Sequence, residues 1–374
     1  MRFSTLIFRN LLRRGIRTAL TVLGLAVGVA AVVSLLGISW GFEQSFLTIY
    51  ESKSIDLVVV KAGAGYQLTS NLDEALEPRI AAIEQVDSVV GSLTDVVSFE
   101  EANLVSVLVN GWKPGSLLFR GIRVTQGRAI ASSDQHVAML GRVLALNLRK
   151  ATGDVLDVAG VPFHVVGIYE SDSLFENGGM IVPLPDLQKM MGREGYVSGF
   201  VLSARDKSTA GVAALARRIE ATIPGVAAVP ARDFVQSETQ LSLIKAMTWA
   251  TSLVAMILGS VGVLNTMVMT VFERTREIGI LRALGWKRRR VLGLVLGEAA
   301  LLGLGGAILG SLLGLIGVKA LAQTPMGSIF INADLPPRVL AAGMGLGLVL
   351  SLVGGIYPAL RAAALEPTEA LRHE

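Results

Sequence analysis

Cysteine is absent from all 374 positions. That excludes disulfide cross-links, thiol nucleophiles and thiolate-held iron–sulfur clusters. Histidine occurs three times, at His136, His164 and His373, with none of the spacings that make a metal ligand set. No G-x-x-x-x-G-K-[ST] phosphate loop is present, and Gly285-Trp286-Lys287 lacks both its spacing and its preceding strand. ATP hydrolysis by this chain has no basis in its residues, and no cofactor of its own is expected. A G-x-S-x-G elbow is missing, and no Ser/His/Asp set can be assembled. The glycines of 121–127 (GIRVTQG) and the Gly178-Gly179 pair read as turns rather than phosphate cradles. Nucleic-acid motifs are absent too, so catalytic sites and nucleic acid recede together.

Charge is also scarce. Only 17% of residues are charged against 52% hydrophobic, and 41 are glycine, which is too apolar a mixture for an ordinary soluble domain. Four runs carry no charge at all: residues 18–42 (25 residues), 246–272 (27), 299–318 (20) and 339–360 (22). About 20 apolar residues cross the roughly 30 Å hydrocarbon layer, so each run predicts a membrane span. The third helix is expected over 291–318, placing Glu298 in the bundle or at its interface. The first run is far longer than the roughly 7–15 residues of a signal-peptide core and reads as a retained anchor. Ionisable residues beyond Glu298 are nearly missing from the spans, which disfavours a proton-coupled carrier and puts the energy source outside the chain.

What charge there is lies unevenly. Residues 1–17 hold five arginines and no acid, and residues 273–290 hold seven basic and two acidic side chains. Residues 43–245 hold 18 basic and 23 acidic, a net of −5. The excess of Lys and Arg places the N-terminus and 273–290 in the cytoplasm. The 43–245 region and a short 319–338 loop then lie outside, and the 361–374 tail returns to the cytoplasm. The basic pI reflects topology and anionic lipid.

The expected fold is a membrane α-helical protein of four transmembrane helices, with a large α+β extracytoplasmic domain inserted between the first and second spans. The flanks of that domain, 41–54 and 231–245, read as helical extensions of the spans and form a stalk. In the second of them, Phe234, Leu241 and Ile244 fall on one side of a helix. Two segments echo each other: 80–99 (IAAIEQVDSVVGSLTDVVSF) and 216–234 (ARRIEATIPGVAAVPARDF), each preceded by a strand-like run, 56–61 (DLVVVK) and 199–203 (GFVLS). They predict two strand–helix–strand halves, about 55–100 and 196–235. The β-branched stretches between them, 103–110, 154–158 and 162–168, predict an inserted β-rich module over about 100–195, with a small barrel or curled sheet as its form. Gly24 and Gly28 in the first span, and Gly306, Gly310 and Gly314 in the third, are spaced for close helix packing, either within the chain or with a second copy.

The 18 residues 273–290 (ERTREIGILRALGWKRRR) are the most informative part of the chain. Glu273, Arg274, Arg276, Glu277 and Arg282 alternate in charge beside an apolar stripe of Ile278, Leu281 and Leu284, flanked by Ile280. Positive-inside anchoring needs only the terminal KRRR; an amphipathic face of this kind fits a groove on a soluble partner.

This segment, as 272–291, closely resembles the cytoplasmic coupling segment of MacB/FtsX-type (type VII) ABC transporter permeases, in which it follows the second of four spans. Residues 9–30 resemble that family's first helix and span. Residues 357–374 resemble its C-terminal signature, and 153–170 resemble a strand pair in the external domain of MacB-like members. The resemblance implies a permease dimer, of identical copies or paralogues, in the bacterial inner membrane. Each copy would contact a separate cytoplasmic ABC ATPase subunit that binds ATP and magnesium. It further implies mechanotransmission, in which ATPase closure moves the stalk and external domain to export a hydrophobic, lipid-like or peptide substrate. A periplasmic adaptor is a further partner class. On matching positions Glu273, Arg274, Arg276, Glu277, Gly279, Leu281, Arg282, Leu284 and Gly285 become candidates for ATPase contact. No fused ATPase precedes the first span, which departs from MacB itself. The alternative is an FtsX-like transducer that activates an extracytoplasmic cell-wall hydrolase; the larger external region favours export. A membrane-anchored enzyme is disfavoured by the missing catalytic set, and no residue can be assigned to substrate.

Overall fold

The computed structural model describes residues 15–63, 70–237 and 239–366. Most of residues 1–17, expected as a cytoplasmic N-terminal helix, the Pro367-x-x-Ala370-Leu371-Arg372 tail and His373 lie outside the described residues. The chain divides into two compact units. One comprises the residues up to Ile38, Ala246–Ala320 and those from Ala333 on; the other comprises Ser39–Lys245 and Leu321–Asn332.

Long uncharged sequence yields long helices, because a backbone in lipid satisfies its N–H and C=O groups only within its own segment. Helix α1 is Gly15–Ser52, 38 residues. At 1.5 Å per residue it is about 57 Å long, well beyond the hydrocarbon layer, and from Ser39 on its residues belong to the second unit. The other three spanning helices are α8 (Thr239–Glu273), α10 (Arg288–Ala322) and α12 (Pro337–Ala364). All four are long and apolar enough to cross a membrane. Helix α12 carries Pro358 without ending there.

Glycine lets these helices touch backbone to backbone. Gly306, Gly310 and Gly314 of α10 face Leu25, Ala26 and Ala30 of α1; a Cβ added at Gly310 would stand 2.5 Å from the Ala26 carbonyl oxygen. Gly347 of α12 packs on Val29 and Ala307, and Gly354 on Ser260 and Val263 of α8. The two glycines of the first span differ. A Cβ at Gly28 would stand 3.3 Å from the Ala255 carbonyl oxygen, whereas one at Gly24 would meet nothing within 4 Å.

The second unit is built on a ten-stranded mixed sheet. Its strands are β1 (Leu57–Lys61), β3 (Val86–Phe99), β4 (Leu104–Trp112), β5 (Arg123–Gly127), β6 (Val137–Gly141), β7 (Val155–Val158), β8 (Val161–Glu170), β9 (Met180–Pro183), β11 (Gly199–Ala204) and β12 (Val226–Pro230). They run in the order β12-β1-β11-β3-β4-β9-β6-β8-β5, with β7 beside β8. A small pair joins β2 (Leu72–Asp73) to β10 (Tyr196–Val197). The run 57–60 is apolar at every position because β1 is covered on both faces. Leu57 and Val59 belong to one core cluster, Val58 and Val60 to the other. Strand β3 crosses the whole domain: Val86–Ser92 pairs with β11, and Leu93–Phe99 with β4. The residues between the two strand–helix–strand halves therefore continue one open sheet with ends at β12 and β5, and do not close into the small barrel offered as one form. Helices α2 (Leu76–Ala81) and α6 (Thr209–Thr222) accompany the halves. Ser208 caps α6 by accepting the Gly211 amide, and Val212, Leu215, Ala216 and Ile219 are its buried stripe.

The remaining helices are short: α3 (Arg142–Leu148), α4 (Leu174–Asn177), α5 (Leu184–Met190), α7 (Ala231–Ser237) and α11 (Pro325–Phe330). The 319–338 connection is more than a loop, since α11 lies within it and belongs to the sheet-bearing unit.

Candidate functional site

Helix α8 ends at Glu273 because Arg274 leaves the helical region, with φ −112° and ψ 13°. A new helix, α9 (Thr275–Ala283), starts at once. Gly285 then takes the left-handed φ of +90° that favours glycine, the Trp286 amide bonds the Leu281 carbonyl, and α10 begins at Arg288. The segment is thus a nine-residue helix hung between a break and a glycine turn.

Its inward face is fixed by charge. Arg274 is only 8% exposed, and its Nη1 donates to Glu298 Oε1 at 2.6 Å; Glu298, in α10, is 2% exposed. Arg274 Nε donates to Glu277 Oε2 at 3.0 Å. Burial works against the guanidinium charge, but Glu298 and Glu277 outweigh it and the Arg274 pKa is raised. Arg17 of α1 donates to Glu273 at 2.9 Å, and Thr21 and Thr266 share a hydrogen bond one turn further in. On the other side of the segment, Arg361 of α12 stands 4.7 Å from the centre of the Phe272 ring.

The expected apolar stripe divides between two faces. Ile278 is 2% exposed and points into the bundle; Gly279 is buried and Leu281 half-buried. Leu284 is 75% exposed and Ile280 44%. Arg274, Ile278 and Leu281 recur at helical spacing on the inward side. Arg276, Ile280, Ala283 and Leu284, with Glu277 beside them, recur on the outward side. Arg282 is half-buried and donates to the Trp286 carbonyl at 3.1 Å, which braces the turn that Gly285 makes. Of the nine candidates, Arg276, Glu277 and Leu284 present their side chains outward. Arg274 and Gly279 are turned in, while Glu273, Leu281, Arg282 and Gly285 shape the ends and edges. Glu298 is buried in the bundle, as expected, but its pairing with Arg274 was missed. A lone acid within a 35-residue apolar helix was the available signal, and its partner lies 24 residues upstream across a turn.

Two family models match the chain: the MacB-like periplasmic core domain over residues 18–222 and the FtsX-like permease C-terminal over 249–367. The chain belongs to the MacB/FtsX-like ABC transporter permease family. It is 30% identical over 382 residues to the macrolide export ATP-binding/permease protein MacB of Nitrobacter winogradskyi, covering 95% of this chain and 58% of that one. Uncharacterized ABC transporter permeases of Methanocaldococcus jannaschii (MJ1507, 25% identical) and Bacillus subtilis (YknZ, 25%) match over 99% and 98% of this chain, and 97% of each of theirs. The chain therefore spans under two thirds of the MacB relatives and nearly all of the separate permeases. Among solved structures, the extracellular domain of the noncanonic ABC-type transporter YknZ from Gram-positive bacteria is similar at 16% identity with a TM-score of 0.37. It covers 47% of this chain and 98% of that domain. The periplasmic region of MacB from Actinobacillus actinomycetemcomitans aligns with a TM-score of 0.39 at 14% identity, over 50% and 94%. At these scores neither likeness bears on function.

Proposed function

We propose that this permease is the membrane subunit of an ABC exporter, driven through residues 273–290 by an ATPase on a separate chain. The observation that carries the reading is the two-faced helix α9. One face is locked to the third span by a buried ion pair, and the other offers Arg276, Glu277, Ile280 and Leu284 to a partner. A surface helix with two exposed aliphatic side chains and flanking charges of both signs suits an apolar groove with a polar rim. The lysine and arginine excess of this segment supports a cytoplasmic placement for it, and so an extracytoplasmic placement for the sheet domain. The substrate would be hydrophobic, lipid-like or peptide and would be engaged at the sheet domain by mechanotransmission.

A second copy of the chain, or a paralogue, completes the assembly in this reading. A groove of about 620 Å³ runs along α1 and α8, lined in part by Gly24, Gly28, Gly259, Gly262 and Asn265. Cβ atoms added at Gly24 and Gly262 would meet nothing within this chain, and Asn265 is exposed on a helix read as lipid-embedded. Glycine costs about 1 kcal/mol in a helix interior, and a bare amide in hydrocarbon seeks a hydrogen-bond partner. Both features favour a second helix pair on this face.

The test is affinity purification of the full chain from its native membrane in mild detergent, beside the I280D/L284D variant. A stoichiometric ATPase is expected with the wild-type chain and its loss with the variant. An ATPase that stays bound to the variant would remove α9 from the interface, and absence of any ATPase would overturn the exporter reading.

A further inference from the structure

Within the sheet-bearing unit, residues 171–179 hold two segments that come from different spans. The first is the stalk end of α1. The Ser173 hydroxyl donates to the Ser45 carbonyl at 3.0 Å, and the Phe175 ring lies 4.5 Å from Phe46 and 4.6 Å from Phe42. Just past the end of α1, Lys53 is fully buried. Its Nζ lies 3.0 Å from Glu176 Oε1, donates to the Arg120 carbonyl at 2.9 Å, and stands 5.3 Å from the Trp112 ring centre. The second segment is α11, between the third and fourth spans. Ile329 is 2% exposed and packs on Gly178, where a Cβ would collide with it; Phe330 joins Phe175 at 5.9 Å. The Asn147 amide ties the same helix from its other end, donating to the Pro325 carbonyl at 2.9 Å and the Ser328 hydroxyl at 3.2 Å.

The nine residues are themselves closed into a rigid loop. Asn177 accepts the Ser171 amide at 2.9 Å and donates to the Ser171 carbonyl at 2.6 Å, and the Tyr169 hydroxyl bonds the Glu176 carbonyl at 2.6 Å. A buried Lys–Glu pair is a poor source of net stability, because desolvation of two charges offsets their attraction. Its directional contacts do fix one register, and here that register is the stalk against the sheet. Apolar packing alone would tolerate sliding of α1 along its axis; Lys53, ion-paired with Glu176 and hydrogen-bonded to the Arg120 carbonyl, does not.

We propose that residues 171–179 are a clamp through which the sheet domain follows the membrane helices, gripping the stalk of the first span and the connector of the third and fourth spans at once. This rests on the coupling reading above and adds a second route to it. Movement imposed at α9 would reach the domain through α1 and also through α10, α11 and α12, with the clamp joining the two routes. The connector stays docked throughout the cycle; it is a strut and does not open as a lid.

The absence of cysteine makes a clean test available. A cysteine at Gly178 would place its Cβ 3.0 Å from the Cβ of position 329, a short step from the roughly 3.5–4.5 Å of disulfides. The G178C/I329C chain, purified with its bound ATPase into lipid nanodiscs, is compared oxidised and reduced with wild type and with I329A/F330A. The readout is the change in amide hydrogen exchange over 42–52 and 86–112 when ATP and vanadate are added. Oxidised G178C/I329C is expected to keep the wild-type change, and I329A/F330A to lose it over 86–112 while retaining the ATPase. A change abolished by oxidation and restored by reductant would mean the connector must undock. A wild-type change in I329A/F330A would mean the connector transmits nothing. Either result overturns the clamp alone, whereas a wild-type chain that purifies without ATPase, or shows no nucleotide-dependent change, overturns the coupling reading beneath it.

Discussion

Replacing Glu298 should loosen helix α9 before it harms anything else. In the wild-type chain the Arg274 guanidinium is buried at the break between α8 and α9, with Glu298 at 2.6 Å and Glu277 at 3.0 Å. Glu298→Ala leaves that charge with Glu277 alone, whose side chain is mostly exposed. Removing one partner of a buried pair costs about 3–5 kcal/mol. Glu298→Gln keeps an acceptor and loses only the charge, so about 1.5–3 kcal/mol applies. Because each 1.4 kcal/mol is tenfold, about 3 kcal/mol raises the population of a detached α9 by roughly a hundredfold. Limited trypsin digestion reads this directly, since cleavage at Arg276 and Arg282, within α9, requires local opening of the helix and tracks its equilibrium. Cleavage in E298A should accelerate by about two orders of magnitude, with E298Q between it and wild type. The swap R274E/E298R should recover part of the loss. If E298A is cut at the wild-type rate, or the swap is no better than either single change, the ion pair does not hold the helix.

Other consequences follow from the same packing. G310L should split α1 from α10, because Ala26 and Val29 already fill the space a side chain would need; overpacking of this kind costs about 1–3 kcal/mol or more. G24A should leave the thermal stability of a detergent-solubilised single chain unchanged, since nothing within the chain lies near it, and any effect should appear in cross-linking between copies. In the sheet domain, Lys113 bridges Glu74 and Glu77 at 2.8 Å each. Burial alone would raise the Glu74 pKa, but hydrogen bonds from Lys113 and Gln188 outweigh it and hold the carboxyl below the usual range. A depressed folded-state pKa gives stability that is present above the unfolded value, about 4.3, and is lost as pH falls through the folded one. Thermal melts of wild type and K113M should therefore differ at pH 7 and converge as the pH drops below 4; a constant gap would assign the Lys113 effect to packing.

The architecture was legible because membrane thickness and charge leave blunt traces. Four uncharged runs gave four helices, and the acidic stretch between the first two gave the inserted α/β domain. The apolar run 57–60 also announced a strand, which the structure covers on both faces. Less legible was anything depending on which side of a short helix faces home. In α9 the pattern Ile278–Leu281–Leu284 read as one stripe, yet Ile278 packs inward while Leu284 faces out. The helix rotates to bury Arg274 against Glu298, and periodicity cannot see a partner on another span. Glycine spacing marked positions for close packing, but α10 uses its glycines against α1 while Gly24 meets nothing in the chain. Helix α11 left the weakest trace, because its contacts with Gly178 and Asn147 are separated from it by about 150–180 residues.

The most direct test of the account is single-cysteine cross-linking to the co-purified ATPase in native membranes. I280C and L284C, on the outward face of α9, should each yield a cross-linked product with the ATPase. I278C, on the same helix but packed into the bundle, should yield none. Equal cross-linking from all three positions, or cross-linking from I278C alone, would contradict the two-faced helix and with it the route by which this permease is driven.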